Sequence, residues 1–124
     1  MKKEIKVVMV EPLKCPTITT INNDLESLQK AVGGLIEFVD IEENVCILCN
    51  EEGKLIGLEG NRRLNNDIIV GTFYVCGVND DGELISLTPA QMDKYLQYFW
   101  EPQTFTQDEI NDTLIIKFFT NWEE

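Results

Sequence analysis

Turn chemistry interrupts this sequence so often that no apolar run between the interruptions exceeds strand length. Glu11-Pro12, Asn22-Asn23-Asp24, Gly33-Gly34, Asn50-Glu51-Glu52-Gly53, Asn79-Asp80-Asp81-Gly82 and Pro102 punctuate the chain. Each carries residues that set φ or bond their own backbone. The most apolar windows, Val7–Val10 and Leu114–Phe119, are strand-sized, and Lys117 breaks the second. Neither approaches the roughly 18 consecutive apolar residues that span a bilayer. A chain divided in this way builds a sheet of short strands with a few helices laid on it.

The local signals predict where those elements fall. Glu4–Val10 and Thr17–Ile21 are β-branched and read as strands. Asn23 is placed to cap a helix, with Glu26 as its capping-box partner, Leu25, Leu28 and Val32 at helical spacing, and Gly33-Gly34 to end it. Leu35–Ile41 and Asn44–Cys49 read as strands about an acidic turn. Leu55–Leu58 reads as a returning strand, Gly60–Asn66 as a polar loop, and Asp67–Val78 as one long strand that pairs with Glu83–Leu87. Thr88, Pro89 and Gln91 announce a second helix whose apolar face is Met92, Tyr95, Leu96 and Phe99, stopped by Pro102. Thr106–Glu109 predicts a short turn of helix, and Thr113–Thr120 a final strand. There is no repeat or linker, so residues 1–124 are expected to form a single small α+β domain, mostly antiparallel sheet with two main helices.

Charge narrows the function. Twenty-two acidic residues face 10 basic ones, for a net charge of −12, and histidine is absent. The charge opposes direct binding to a nucleic-acid backbone or an anionic membrane, both of which need a basic footprint. Without histidine there is no His-based triad and no His-containing zinc site. The two serines, Ser27 and Ser86, lie in no nucleophile motif. Cys46-Ile47-Leu48-Cys49 has redox or zinc spacing, but it lacks a second ligand pair. It also falls in a predicted strand, where residues three apart face opposite ways. These cysteines therefore read as buried apolar residues, and no enzyme activity, metal or cofactor is expected. The N-terminus, Met1-Lys2-Lys3-Glu4, has no apolar stretch behind its lysines. It does not read as a signal peptide, and a cytoplasmic protein is expected.

Scarce positive charge is the more informative feature. From Ala31 to Asp93 the only basic residues are Lys54, Arg62 and Arg63. If residues 44–58 form a hairpin, Lys54 stands at its tip and Asn61-Arg62 leaves its far end. Such a group would offer amide and guanidinium donors to one anionic ligand. The competing reading is simple surface pairing with Glu51, Glu52 and Glu59.

The same residues carry a resemblance. Asn22-Asp24-Leu25-Glu26 running to Val32-Gly33-Gly34, then Cys49-Asn50-Glu51-Glu52-Gly53-Lys54-Leu55, Gly57-Leu58, Asn61-Arg62, Asp67-Ile68-Ile69 and Gly71-Thr72-Phe73 resemble the domain-of-unknown-function family number 3846. The family-like region covers about residues 6–99, leaving an acidic C-terminal extension at about 100–124. The resemblance implies a small accessory protein of bacteria, phages and mobile elements, often beside counter-defence functions. It also puts weight on Asn50, Lys54, Asn61, Arg62 and Thr72 as ligand-binding residues, since an exposed turn would accept many other polar side chains.

Two function classes follow. In the first, the chain sequesters a small anionic, nucleotide-derived defence signal in the host cytosol. It would do so as a homo-oligomer if one copy cannot enclose the ligand. In the second, it is an acidic inhibitor that imitates DNA and binds a bacterial defence or restriction complex. Net charge favours the second, at −4 over residues 1–62 and −8 over residues 63–124. The Asn-Arg and Gly-Lys motifs favour the first.

Overall fold

In the computed structural model, which describes residues 3–113, strands β1 (Glu4–Val10), β2 (Thr17–Asn22), β3 (Ile36–Glu42), β4 (Val45–Asn50), β7 (Phe73–Val78) and β8 (Leu84–Ile85) form one sheet. Its order is β2-β1-β7-β4-β3. The short β8 pairs with the end of β7 that β1 leaves uncovered. Every pairing is antiparallel, as expected for strands joined by tight turns. A separate hairpin joins β5 (Gly60–Leu64) to β6 (Asp67–Val70).

Both faces of the sheet are covered, and β4 shows how. All of Val45–Asn50 is buried. Cys46 and Leu48 join Ile5, Val7, Tyr74 and Cys76 beneath helix α1 (Leu25–Val32), through Leu28 and Val32. Val45, Ile47 and Cys49 join Val8, Val10, Phe73 and Val75 on the other face, beneath Tyr95 of helix α2 (Pro89–Tyr98) and Phe99, its C-cap. The two motif cysteines therefore lie in different cores, as the strand period requires. The chain is an α+β domain with an antiparallel sheet at its centre, as the turn pattern predicts.

The helix ends follow the local chemistry with one shift. Asp24, not Asn23, caps α1: its carboxylate accepts from the Ser27 N–H at 2.9 Å and from the Ser27 hydroxyl at 2.9 Å. Asn23 instead donates to the Leu84 carbonyl, tying the helix entry to β8. Leu25, expected on the apolar face, is exposed. Gly33 closes the helix with φ +77. In α2 the capping box of Thr88 and Gln91 is complete. A third helix, α3, occupies residues 107–113 behind a reciprocal Thr106–Glu109 cap. Thr113 belongs to that helix, and the rest of the final strand expected there lies outside the described residues.

The middle of the chain departs from the reading. Leu55–Leu58 is not a strand. Residues 51–57 form consecutive turns in which Ile56 N–H donates to Glu52 and Leu58 N–H to Gly53, with Leu55 and Ile56 exposed. Gly60–Leu64 is not a loop but β5, with Gly60, Asn61 and Arg62 buried. The long strand expected over 67–78 breaks at Gly71, whose φ of +73 no β-branched neighbour would adopt. That break lets β6 leave the main sheet and pair with β5 on the α2 side.

Candidate functional site

Asn50 and Lys54 come together at a cavity of about 240 Å³ between β3, the 51–57 turn and the β5–β6 hairpin. Val39, Cys49, Leu64 and Ile69 form its apolar wall, and Glu37, Glu51, Asn50, Lys54 and Asp67 bring polar groups to it. The turn is built for close approach. A Cβ on Gly53 would meet Val70 at 2.7 Å, so glycine lets the turn lie on β6.

Asn50, Lys54 and Asp67 already have internal roles. Asn50 donates to the Val32 carbonyl at 3.1 Å, one of the orphaned acceptors at the end of α1, and accepts from the Glu52 N–H at 2.8 Å. It fastens the turn to the helix. Lys54, half-buried, pairs with Asp67, whose same oxygen accepts from the Ile68 N–H. Cys49 lies against Glu37, its thiol 3.7 Å from that residue's carbonyl oxygen. The formal charge around the cavity is acidic, with Glu37, Glu51 and Asp67 against Lys54.

Asn61 and Arg62 do not join this cavity. The β5–β6 register shifts between Gly60 and Arg62, and the bulge re-aims both side chains into the interior. Asn61 donates to the Val10 carbonyl at 2.9 Å and the Gly71 carbonyl at 2.8 Å. Arg62 is fully buried. Its Nε donates to the Phe99 carbonyl at 3.0 Å, one terminal nitrogen to the Asn61 side-chain oxygen at 2.8 Å, and the other to the Lys14 carbonyl at 2.6 Å. No carboxylate partners it among the described residues. Burial lowers its affinity for the proton, and Coulombic interaction with Cys15 opposes that shift. Thr72, half-buried, sits between β6 and β7. Of the five candidate residues, two share a cavity, two stitch the interior, and one stands apart.

The remaining chemistry is muted. Burial pushes the Cys46 thiol up to about 11, with a smaller contribution from Asp40, and raises Cys76 further. Thiols so raised are poor nucleophiles at neutral pH. No metal-binding cluster occurs among the described residues, and no described helix is long and apolar enough to cross a membrane.

Sequence reasoning passed over Glu37, Val39, Leu64 and Asp67, which shape the cavity as much as Asn50 and Lys54 do. One signal for them existed. Asn65-Asn66 is a two-residue loop of residues that tolerate positive φ, and Asn65 has φ +56. Reading it as a hairpin turn would have placed Leu64 and Asp67 opposite each other, where the structure has them.

These features define a compact α+β domain with a shallow acidic cavity beside one sheet edge. A family model described as a domain of unknown function, DUF3846, matches residues 5–100, and the chain belongs to that family. No curated protein and no solved structure matches it.

Proposed function

We propose that this chain is a non-enzymatic accessory protein of a phage or mobile element that binds a basic surface of a host defence or restriction complex in the bacterial cytosol. The observation that carries this reading is the commitment of the described cations near the candidate sites. Arg62 is buried, and Lys54, Arg63, Lys94 and Lys14 each pair with a carboxylate. Lys3, Lys6 and Lys30 are exposed outside these pairs, but carboxylates outnumber them on the described surface. The β3–β4 turn and the β7–β8 turn meet where Val78 N–H donates to the Asn44 carbonyl at 2.8 Å. Asp40, Glu42 and Glu43 lie at or beside the β3–β4 turn and Asp80, Asp81 and Glu83 in or beside the β7–β8 turn, with Lys94 paired to Glu42. Such a surface steers association with a cationic partner.

Sequestration of a small anionic signal keeps one supporting observation, the shared cavity of Asn50 and Lys54. An anion there would have to displace Asp67 from Lys54 and tolerate Glu37 and Glu51, which argues for the protein partner. The test is competition with duplex DNA for a purified restriction complex. Inhibition should fall steeply between about 50 and 200 mM salt, and nucleotides should leave the melting temperature unchanged. A nucleotide that raises the melting temperature by several degrees, with no effect on the restriction complex, would favour sequestration.

A further inference from the structure

The two outer strands of the sheet differ in chemistry. Among the described residues β2 pairs only with β1, and β3 only with β4, so each leaves one side of its backbone without a ladder partner. The β2 sequence, Thr-Ile-Thr-Thr-Ile-Asn, carries no charge. The β3 sequence, Ile-Glu-Phe-Val-Asp-Ile-Glu, carries Glu37, Asp40 and Glu42 and exposes Phe38.

Concave surface accompanies β3 along most of its length. Glu37 and Val39 border the cavity at Lys54. Val39, Asp40, Ile41 and Glu42 border a second recess with Leu64 and Tyr98. Asp40, Ile41 and Glu42 also border a third, at Asn44 and Val78. The recesses share β3 residues and so follow one another along a single edge. Their chemistry alternates apolar floor with carboxylate.

We propose that the β3 edge receives an extended, lysine- or arginine-bearing segment of the partner protein, added to the sheet as a further strand. The added strand would bond through its backbone, which gives affinity independent of sequence. Glu37 and Asp40, with the recesses, would select cationic side chains with apolar stems, Glu42 being already paired with Lys94. A second copy of this chain is the wrong occupant. Pairing β3 with itself brings Glu37, Asp40 and Glu42 of two copies onto neighbouring strands, where like charges repel. The register shift between Asp40 and Glu42 further spoils a long self-pairing. This inference rests on the protein-binding reading and specifies its geometry.

The test uses the full chain and two synthetic probes. One is a short peptide alternating lysine with valine. The other is the same peptide with every backbone amide N-methylated, which keeps its charge and removes the backbone donors from both of its edges. The unmodified peptide should bind, slow hydrogen exchange at backbone amides within residues 36–42, and lose about tenfold or more of its affinity on N-methylation. The Glu37→Lys/Asp40→Lys double variant should weaken binding by a similar factor while keeping the wild-type melting temperature. A single Asp40→Asn variant, which leaves size unchanged, should weaken it less. Equal binding of the two peptides, protection elsewhere in the chain, or no binding would overturn strand addition. The DNA-competition assay separates this outcome from failure of the wider reading. If Asp80→Lys/Asp81→Lys abolishes inhibition and the β3 variants do not, the acidic surface acts and the edge does not.

Discussion

Arg62 holds three parts of the chain with one planar group. Its donors reach the end of α2 at Phe99, the loop after β1 at Lys14, and Asn61 in its own strand. A buried guanidinium with no carboxylate partner among the described residues survives because oriented carbonyl dipoles take the place of water around it. Removing it leaves those carbonyls unsatisfied and opens a void. Arg62→Ala should therefore lower stability by about 3 kcal/mol or more, read as a shift in the urea midpoint. Arg62→Lys should recover little, because a single ammonium cannot reproduce the fork. Arg63→Ala removes an exposed pair to Glu109 and a contact over the Phe105 ring, and should cost no more than about 1 kcal/mol. Unchanged stability in Arg62→Ala, with loss of biological protection, would return this residue to a binding role. The sequence showed that Asn61-Arg62 is unusual in so acidic a chain. It did not show whether the pair turns outward or inward, because a bulge decides that, and a bulge is a property of two strands.

At the scale of elements, backbone conformation marks the boundaries. Gly71 separates β6 from β7, and a Cβ there would meet Leu58 at 2.7 Å as well as a strained φ. Gly71→Ala should cost more than about 1 kcal/mol, with loosened packing of the β5–β6 hairpin visible in the Leu58 methyl resonances. Asp24→Ala removes the cap of α1 and should cost about 1 kcal/mol. A cost confined to Asn23→Ala would restore Asn23 as the cap. The capping box of α2 was legible because its partners are local, and the strands on either side of α1 were legible by their β-branched runs. The β5 strand was not. Its sequence, Gly-Asn-Arg-Arg-Leu, is polar, and polar residues take strand conformation here only because bonds to Val10, Gly71 and Phe99 satisfy them.

For the whole molecule, burial on both faces of the sheet governs the alkaline response. Cys46, Cys76 and Tyr74 on the α1 side and Tyr95 on the α2 side all have raised proton affinity, mainly from burial; a hydrogen bond to Glu42 adds to the effect at Tyr95. The unfolded chain ionises these groups first. Their contribution to stability is complete below the ordinary thiol value of 9.0, then is lost as pH rises through the folded values, about 11 for Cys46. Urea midpoints should hold to about pH 9 and decline above it. A disulfide-exchange reagent at neutral pH should label Cys15, the exposed cysteine, quickly, and Cys46, Cys49 and Cys76 only on unfolding. Fast labelling of a second thiol in the native protein would show that one of the two cores opens.

Turn residues, β-branched runs and helix caps were sufficient to establish an antiparallel α+β domain, because they act within a few residues. Charge composition set an expectation against nucleic-acid binding, because formal net charge is read without the fold. Strand order, the second hairpin and the placement of Arg62 were decided only by tertiary structure. Each depends on which distant carbonyl meets which donor, as Arg62 meets Phe99 and Asn61 meets Val10. The same holds for the cavity. Asn50 and Lys54 are near in sequence, but Val39, Leu64 and Asp67 reach them only because Gly71 turns β6 out of the sheet and lays it beside the turn. A polar residue's type announces that it needs a partner, and only the fold determines whether that partner is solvent, a ligand or the protein itself.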